Sequence, residues 1–126
     1  MPQATLEHIN FTTTDPKATA NRLCSLFDWK IRWEGGAIHE GFTVHVGSKD
    51  SYLAIYSKGN PGEAGNSYDT KAGLNHIGIV VEDLDLIEKR VKDAGFETHS
   101  HANYEPGKRF YFHDPDGIEF EIISYE

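Results

Sequence analysis

The sequence predicts an α+β fold in which one domain, residues 1–126, consists of two βαβββ modules. The first observation is an internal repeat, because Leu6-Glu7-His8-Ile9 near the start is matched by Leu74-Asn75-His76-Ile77 in the second half. The same offset joins Asp15 to Asp83. A long repeat with only two copies is typical of a duplicated supersecondary module. The second observation is the order of the periodic segments, since each half has a strand pattern, then a helix pattern, then three strand patterns.

The first module is predicted over about residues 4–57. Residues 4–13 alternate between apolar and polar side chains, which is typical of a strand. Asp15 can cap a helix and Pro16 suits its first position, so we expect a helix that runs to about Phe27. The predicted strands that follow are 29–34, 41–47 and 51–57, with turns at Gly35-Gly36 and Lys49-Asp50.

A segment rich in glycine, asparagine and proline, residues 58–72, links this module to the second one, and we expect it to act as a flap over a site. The second module is predicted over about residues 73–125. The elements predicted in it are a strand at 74–81, a helix at 84–94 that Gly95 stops, and strands at 97–101, 108–113 and 118–124. Asp114-Pro115-Asp116-Gly117 has strong hairpin-turn chemistry.

The composition indicates a soluble globular chain and argues against some partners. The net charge is −8, and 38% of the residues are hydrophobic, which is ordinary for a globular domain. No basic stripe is present, so we expect no binding to nucleic acid or to an anionic membrane surface. No apolar run approaches the roughly 20 residues of a membrane span, and no signal-peptide pattern begins the chain. With Cys24 as the single cysteine, these features favour a cytoplasmic protein.

Strand alternation predicts an open sheet face that carries polar residues. Apolar residues recur at every second position of the first and last strands, and the helices must cover the face that these residues form. The residues between them point the other way and include His8, Asn10, His76, Glu119 and Glu121. A sheet face that is neither packed by helices nor uniformly polar favours a curved sheet with a site on its inner side.

Two histidines and a carboxylate on this open face predict a metal site. His8 and His76 hold equivalent places in the repeat, so a pseudo-twofold arrangement of the modules would bring them to one centre. With Glu121 they form a 2-His-1-carboxylate site, which leaves coordination positions open for water, substrate or dioxygen. Nitrogen and oxygen ligands without thiolates suit Fe, Mn, Ni, Co or Zn, and we expect one such divalent ion per site.

Two segments, LNHIGIVV at residues 74–81 and FYFHDPDGIEFE at residues 110–121, make the chain resemble a known family. Together with the βαβββ duplication they resemble the vicinal oxygen chelate superfamily, which includes glyoxalase I, bleomycin-resistance proteins, fosfomycin-resistance enzymes and extradiol dioxygenases. In its metal-binding members the first strand of each module supplies a ligand, and the strand after the Asp-Pro-Asp-Gly turn supplies a glutamate. The resemblance thus implies His8, His76 and Glu121 as ligands, in preference to Glu119.

The resemblance also implies a metal-dependent enzyme that acts on a small oxygenated metabolite or xenobiotic, with the metal as a Lewis acid. The reaction type stays open between lyase or isomerase, thiol transferase and dioxygenase. Glyoxalase I takes a fourth ligand, a carboxylate, where this chain has Ala54, which argues against its proton-transfer chemistry. In the position of a serine of fosfomycin-resistance enzymes, Glu105 would repel a phosphonate. The alternatives are a metal-free small-molecule binding protein like the bleomycin-resistance proteins, and a remnant domain.

Further side chains on the open face are candidates for chemistry or for substrate contact. The candidate acid–base residues are His45, Tyr111 and His113. The candidate substrate-binding residues are Asn10, Tyr52, Arg109 and Tyr111, of which Arg109 can bind a carboxylate or phosphate through two hydrogen bonds. His99 and His101 alternate on one strand and form a separate candidate ion-binding pair.

Short modules of this kind leave sheet edges exposed, and the superfamily that the chain resembles usually closes them by dimerising. We therefore expect a C2 homodimer with two equivalent sites. In such a dimer His8 of one chain can join His76 and Glu121 of the other, and the sequence leaves open whether the modules pair within a chain or between chains. Pocket size would depend on the flap and on the loop at residues 103–107.

Overall fold

Two βαβββ units make up the chain, as the repeat predicts. The computed structural model describes residues 2–104 and 107–126. The chain divides into the compact units Met1–Gly62 and Glu63–Glu126, called here unit 1 and unit 2, and the division falls inside the segment 58–72. Each unit has one helix and one mixed four-stranded sheet, so the predicted α+β class is confirmed.

Unit 1 follows the predicted element order with one addition, a short 3₁₀ turn. Its elements are β1 (His8–Thr12), α1 (Pro16–Phe27), β2 (Lys30–Ala37), the 3₁₀ turn Ile38–Glu40, β3 (Gly41–Gly47) and β4 (Tyr52–Ser57). The strands lie in the order β1-β4-β3-β2. β1 runs parallel to β4, and the other neighbouring strands are antiparallel.

Unit 2 repeats this topology. Its elements are β5 (Ile77–Val80), α2 (Leu84–Asp93), β6 (His99–Tyr104), β7 (Gly107–His113) and β8 (Glu119–Ser124). The strand order is β5-β8-β7-β6, with β5 parallel to β8. Because β5 is shorter than the predicted strand 74–81, His76 is the residue that directly precedes it.

Both helices begin where the sequence predicts because an aspartate caps each of them. Asp15 Oδ1 accepts a hydrogen bond from the Ala18 amide at 3.1 Å, and Asp83 Oδ1 accepts one from the Leu86 amide at 3.0 Å. A cap of this kind contributes about 1 kcal/mol to helix stability. Asp28, the C-cap of α1, has a left-handed φ of 59°, and Gly95, which follows the C-cap Ala94 of α2, has a φ of 97°.

Each helix covers one face of its own sheet and leaves the other face open. α1 packs against β3 and β4, and α2 packs against β7 and β8. The side chains buried between helix and sheet in unit 1 include Leu23, Val44, Val46 and Ile55; in unit 2 they include Val91, Phe110, Phe112 and Ile122. Burial of each such side chain stabilises the fold by about 1.5–3 kcal/mol relative to exposure. The alternate strand positions carry the polar residues described below.

The predicted turn at Gly35-Gly36 is wrong, because β2 continues through both glycines to Ala37. Gly35 pairs with Thr43 and Gly36 with Phe42, so the glycines belong to the ladder. The Trp33 ring lies over Gly35, where a Cβ would come within 2.8 Å of the indole. The glycine therefore marks a close approach inside a strand rather than a turn.

The other two predicted turns are confirmed. The Ser48 amide donates to the Ser51 carbonyl at 3.1 Å across Lys49-Asp50. Asp114 Oδ1 accepts from the amides of Asp116 at 2.9 Å and Ile118 at 3.0 Å, which fixes the hairpin between β7 and β8.

Candidate metal centre

The three predicted metal ligands are divided between the two units. His8 is the first residue of β1 in unit 1. His76 directly precedes β5, and Glu121 lies in β8, both in unit 2. The structure brings His76 and Glu121 together, while the participation of His8 stays a prediction from the repeat.

The Glu121 carboxylate has one oxygen directed at His76 and the other held by two donors. Its Oε1 lies 3.2 Å from Nε2 of His76. Its Oε2 accepts hydrogen bonds from Arg109 Nη1 at 2.9 Å and from the Tyr111 hydroxyl at 3.1 Å. A carboxylate that binds a metal through one oxygen is commonly held in this way through its other oxygen.

Both histidines have Nδ1 engaged by the side chain of the residue before them. Nδ1 of His8 lies 2.9 Å from Glu7 Oε1, and Nδ1 of His76 lies 2.6 Å from Asn75 Oδ1. Carboxylate and amide oxygens only accept hydrogen bonds, so Nδ1 is the donor in each of these two contacts. Nε2 is therefore the nitrogen of each ring that can bind a metal, and the hydrogen bond to His8 lowers the pKa of Glu7, which keeps this acceptor ionised.

Strand register explains why these unit 2 side chains meet. Tyr111 pairs with Glu121 between β7 and β8, and Gly78 pairs with Glu121 between β5 and β8. A Cβ built on Gly78 would come 3.8 Å from Glu121 Oε1. The glycine therefore leaves open space next to the carboxylate oxygen that faces His76.

Arg109 is largely buried and is directed at Glu121. Its side chain is 11% exposed, and its guanidinium lies 4.8 Å from the centre of the Tyr104 ring. Burial acts to lower the pKa of Arg109, but its hydrogen bond to Glu121 outweighs this and the net shift is upward. Burial, together with the hydrogen bond to Glu121, raises the pKa of Tyr111, which keeps its hydroxyl protonated as a donor. Through these contacts Arg109 can hold the Glu121 carboxylate in place. Contact between Arg109 and a substrate stays a prediction.

The open face of unit 1 carries a row of four adjacent rings, Trp33, His45, Tyr52 and His8, in which Trp33 is tilted against His45 and the other neighbours are stacked. Neighbouring ring centres lie 5.1 Å apart for Trp33–His45, 4.6 Å for His45–Tyr52 and 4.9 Å for His8–Tyr52. The Arg32 guanidinium lies 4.5 Å from the Tyr52 ring centre. Burial lowers the pKa of His45, so this imidazole is neutral at pH 7 and able to accept a proton.

Ala54 lies on the open face of unit 1, as the sequence predicts. It pairs with Asn10 of β1 and with His45 of β3, and directly paired residues share a face. Ala54 is 2% exposed. The position therefore carries no carboxylate that could bind a metal or move a proton.

A second group of potential ligands lies on the open face of unit 2, and no sequence motif groups these residues. Ligand atoms of His99, His113 and Glu119 all lie within 4.8 Å of one another. Nε2 of His113 is 3.2 Å from Glu119 Oε2, and the Tyr68 hydroxyl donates to Glu119 Oε1. The hairpin turn at residues 114–117 is the sequence feature that points to part of this group. The antiparallel strands that leave the turn pair His113 with Glu119.

The predicted pairing of His99 with His101 is wrong, because the two rings lie on opposite faces of the sheet. His99 stacks on His113, with ring centres 5.1 Å apart. Nε2 of His101 lies 2.6 Å from Glu88 Oε2 of α2, on the face that the helix covers. Ser100 has a φ of 56°, and the β6–β7 register shifts between His99 and Ala102, so a bulge breaks the alternation here.

Two further expectations concern charge and membranes. Glu105, the residue expected to repel a phosphonate, lies outside the described residues. Over residues 2–104 and 107–126, neither helix has the length and apolar character needed to cross a membrane.

Comparisons with solved structures support the fold. A glyoxylase/bleomycin resistance protein/dioxygenase domain from Frankia sp. EAN1pec is 21% identical, with 98% of each chain covered and a TM-score of 0.82. The fosfomycin resistance protein FosX from Listeria monocytogenes, solved as a variant with Mn(II) and 1S,2S-dihydroxypropylphosphonic acid, is 20% identical, with a TM-score of 0.75. That match covers 97% of this chain and 93% of FosX. The antibiotic binding protein TnmS3 from Streptomyces sp. CB03234 is 14% identical, with 98% of each chain covered and a TM-score of 0.75.

The sequence itself matches a family model, although no curated protein matches it significantly. The match extends over residues 5–122 and so includes both units and all three predicted ligands. The chain belongs to the Glyoxalase/Bleomycin resistance protein/Dioxygenase superfamily.

Proposed function

We propose that this chain is a divalent-metal-dependent enzyme that acts on a small oxygenated metabolite or xenobiotic. The observation that carries the proposal is the geometry at Glu121, where one carboxylate oxygen faces His76 Nε2 at 3.2 Å and the other is held by Arg109 and Tyr111. His8, His76 and Glu121 would hold the ion, and Fe, Mn, Ni, Co and Zn all suit this ligand set.

The residues fit a metal ion in spacing as well as in type. A separation of 3.2 Å between His76 Nε2 and Glu121 Oε1 is close to that of neighbouring ligand atoms on one ion with bonds of about 2.1 Å. Two observations support His8 as the third ligand. His8 holds the place in the repeat that His76 holds in the second half, and in both histidines Nδ1 contacts the side chain of the preceding residue, Glu7 or Asn75. We propose that the chain forms a C2 homodimer with one such site for each chain.

A divalent ion in this site supplies a Lewis acid for two vicinal oxygens or one oxyanion of a substrate. Arg109 and Tyr111 keep Glu121 oriented through hydrogen bonds to its Oε2. His45, neutral at pH 7, is the proposed proton acceptor, with Asn10 and Tyr52 as proposed substrate contacts. Tyr111 and His113 are the other acid–base candidates.

Because residue 54 is alanine and carries no carboxylate, fewer types of reaction fit the proposed site. A reaction that needs a carboxylate at that position to move a substrate proton is disfavoured. Lyase or isomerase chemistry through another base, thiol transfer and oxygen insertion remain within the proposal, and the identity of the ion would discriminate among them. Iron would favour oxygen insertion, while Ni, Zn or Mn would favour isomerisation or transfer.

The first test is metal content by plasma mass spectrometry, on protein purified without a polyhistidine tag. We expect near-stoichiometric metal in the wild type and a loss of about one ion in His76→Ala and in Glu121→Gln. His39→Asn is the matched control, because it removes an imidazole from an exposed residue whose φ of 60° suits asparagine. Equal metal content in wild type and His76→Ala, after loading with each candidate ion, would contradict the proposal.

The second candidate function is a metal-free small-molecule binding protein. The observation that favours it is the row of adjacent rings Trp33, His45, Tyr52 and His8, which offers aromatic surface for a planar ligand. The fold is also that of TnmS3, which is described as an antibiotic binding protein. Quenching of tryptophan fluorescence by planar aromatic compounds, unchanged by a chelator and weakened in Trp33→Leu, would favour this function over the enzyme.

A further inference from the structure

We propose that unit 2 contains a second metal site, formed by His99, His113 and Glu119, that binds a late first-row divalent ion such as Zn²⁺ independently of His8, His76 and Glu121. Ligand atoms of the three residues lie within 4.8 Å of one another. Two imidazoles and one carboxylate are a common ligand set for zinc, with water in the fourth position.

The cluster is compact, with His113 between His99 and Glu119 and a different ring nitrogen of His113 directed at each. Nε2 of His99 lies 3.2 Å from Nδ1 of His113, and Nε2 of His113 lies 3.2 Å from Oε2 of Glu119. Because an imidazole binds an ion through one nitrogen only, one of these two contacts at a time has the spacing of neighbouring ligand atoms on an ion with bonds of about 2.0–2.2 Å. The three ligand atoms, one from each residue, lie within 4.8 Å of one another. Small rotations of side chains, rather than movement of the backbone, would therefore suffice to surround an ion.

Two of the three ligands have partners that fix their orientation. The Tyr68 hydroxyl donates to Glu119 Oε1, which leaves Oε2 directed at His113. The Ser100 hydroxyl lies 2.9 Å from His99 Nδ1, so that Nε2 is the nitrogen directed into the cluster. Outer hydrogen bonds of this kind orient ligands in known metal sites, and their loss typically weakens metal binding by about 10–100-fold.

The cluster is separate from the predicted centre at Glu121, although both lie on β8. Glu119 and Glu121 occupy alternate positions of the strand, and each carboxylate has its own set of partners. Glu121 is held by Arg109 and Tyr111 and faces His76, whereas Glu119 is held by Tyr68 and faces His113. One ion therefore does not have to serve both carboxylates.

The cluster has no counterpart in unit 1, which argues that it is not a by-product of the duplicated fold. His113 pairs with Glu119 across the hairpin of unit 2, and the corresponding pair in unit 1 is Gly47 with Tyr52. The corresponding residue to His99, the partner of Tyr111, is Trp33, the partner of His45. Glycine and tryptophan supply no side-chain ligand, so the three ligands of unit 2 are particular to that unit.

The test is to count the zinc ions that bind to metal-free wild-type protein, by calorimetric titration and by plasma mass spectrometry after gel filtration. We expect two ions per chain in the wild type, one in His113→Ala, one in His76→Ala and none in the double variant. His101→Ala is the matched control, since it removes an imidazole of β6 from the opposite face, and we expect it to keep two. His113 is 49% exposed, so its replacement leaves the fold intact.

The outcomes separate this inference from the proposed function. One ion in the wild type that His113→Ala removes and His76→Ala retains would support the second site and contradict the proposed centre. Zinc content unchanged by His113→Ala, or abolished by each of the two single replacements, would overturn the second site. Glu119→Gln, which preserves the size of the side chain, tests the same site through its carboxylate and leaves every histidine in place.

A variant outside the ligand set distinguishes a metal site from a structural hydrogen-bond cluster. Tyr68→Phe removes the hydroxyl that holds Glu119 Oε1 and removes no ligand. We expect it to weaken zinc binding at this site by about 10–100-fold. Zinc binding at the other site, the one that His76→Ala removes, should be unaffected. Unchanged zinc affinity in Tyr68→Phe would overturn the role assigned to Tyr68 in orienting the carboxylate.

Discussion

Ala54 holds in unit 1 the register position that Glu121 holds in unit 2. Asn10 pairs with Ala54 between parallel strands β1 and β4, and Gly78 pairs with Glu121 between parallel strands β5 and β8. Asn10 and Gly78 each follow the repeated histidine by two positions. The duplicated units therefore offer two equivalent histidines and only one carboxylate, which makes the proposed centre asymmetric in its ligands.

Replacing Ala54 by glutamate is expected to add a carboxylate whose effect depends on metal. Ala54 is 2% exposed, with Asn10 and His45 as its cross-strand neighbours. In chelator, an unpaired carboxylate there should lower the free energy of unfolding by about 1–3 kcal/mol. Added metal should recover part of this loss if the carboxylate reaches the ion. Thermal unfolding with and without metal measures both effects, and Ala54→Gln is the control of similar size. An identical metal response in the two variants would contradict the expectation that a carboxylate at position 54 reaches the ion.

Removing the Tyr111 hydroxyl should weaken metal binding without changing the ligands. Tyr111→Phe deletes the donor at 3.1 Å from Glu121 Oε2 and keeps the ring. Loss of one outer hydrogen bond to a ligand typically weakens metal affinity by about 10–100-fold. Competition with a chromophoric chelator measures this affinity, and Tyr125→Phe is the control because Tyr125 is 61% exposed. Equal affinities in the two variants would remove the support for Glu121 as a ligand.

The proposed dimer predicts a defined stoichiometry and allows the ligand sets to be mapped. Sedimentation equilibrium should give twice the chain mass at micromolar concentration.

Co-expression of His8→Ala with His76→Ala then tests which chains share ligands. If His8 of one chain joins His76 and Glu121 of the other, each mixed dimer regains one intact site of its two. If all three ligands come from one chain, no intact site forms. A monomer at micromolar concentration would contradict the dimer itself.

The sequence predicts the helices and the open-face residues well because local chemistry determines them. Asp15 and Asp83 cap the helices at the predicted positions, and strand alternation brings Tyr111 to the face of Glu121. Alternation fails where the backbone departs from a regular strand. Ser100 adopts a left-handed φ of 56° without being glycine, so nothing in the sequence indicates that His99 and His101 lie on opposite faces.

The second cluster is not apparent from the sequence for a related reason. The family pattern selects Glu121 as the ligand in preference to Glu119, although both residues share a face of β8. Recognising the cluster needs the register of two strand pairs at once, since His99 pairs with Tyr111 and His113 pairs with Glu119. Tyr68, which lies in unit 2 ahead of β5, reaches Glu119 through a tertiary contact that no local pattern encodes.

Glu88 is expected to make the stability of unit 2 depend on pH. Its Oε2 lies 2.6 Å from the Thr98 hydroxyl and 2.6 Å from His101 Nε2, so it joins α2 to β6. Burial acts to raise the pKa of Glu88, but these hydrogen bonds outweigh it and hold the pKa below the ordinary value of 4.5. Because the unfolded carboxyl binds a proton more readily than the folded one, this stabilisation is fully present above pH 4.5 and is lost as the pH falls through the lowered pKa.

Glu88→Gln should therefore lower the free energy of unfolding by about 1–2 kcal/mol at neutral pH, because the charge-assisted hydrogen bonds are lost. The difference from wild type should shrink as the pH is lowered through the acidic range, since the wild-type carboxylate then becomes protonated. Urea unfolding at a series of pH values measures this difference. Asp93→Asn is the matched control on the same helix, because Asp93 pairs with Lys89 while both side chains are well exposed, and such a pair contributes roughly 0.5 kcal/mol or less. A difference between wild type and Glu88→Gln that stays constant across the acidic range would show that the Glu88 charge does not stabilise the contact between α2 and β6.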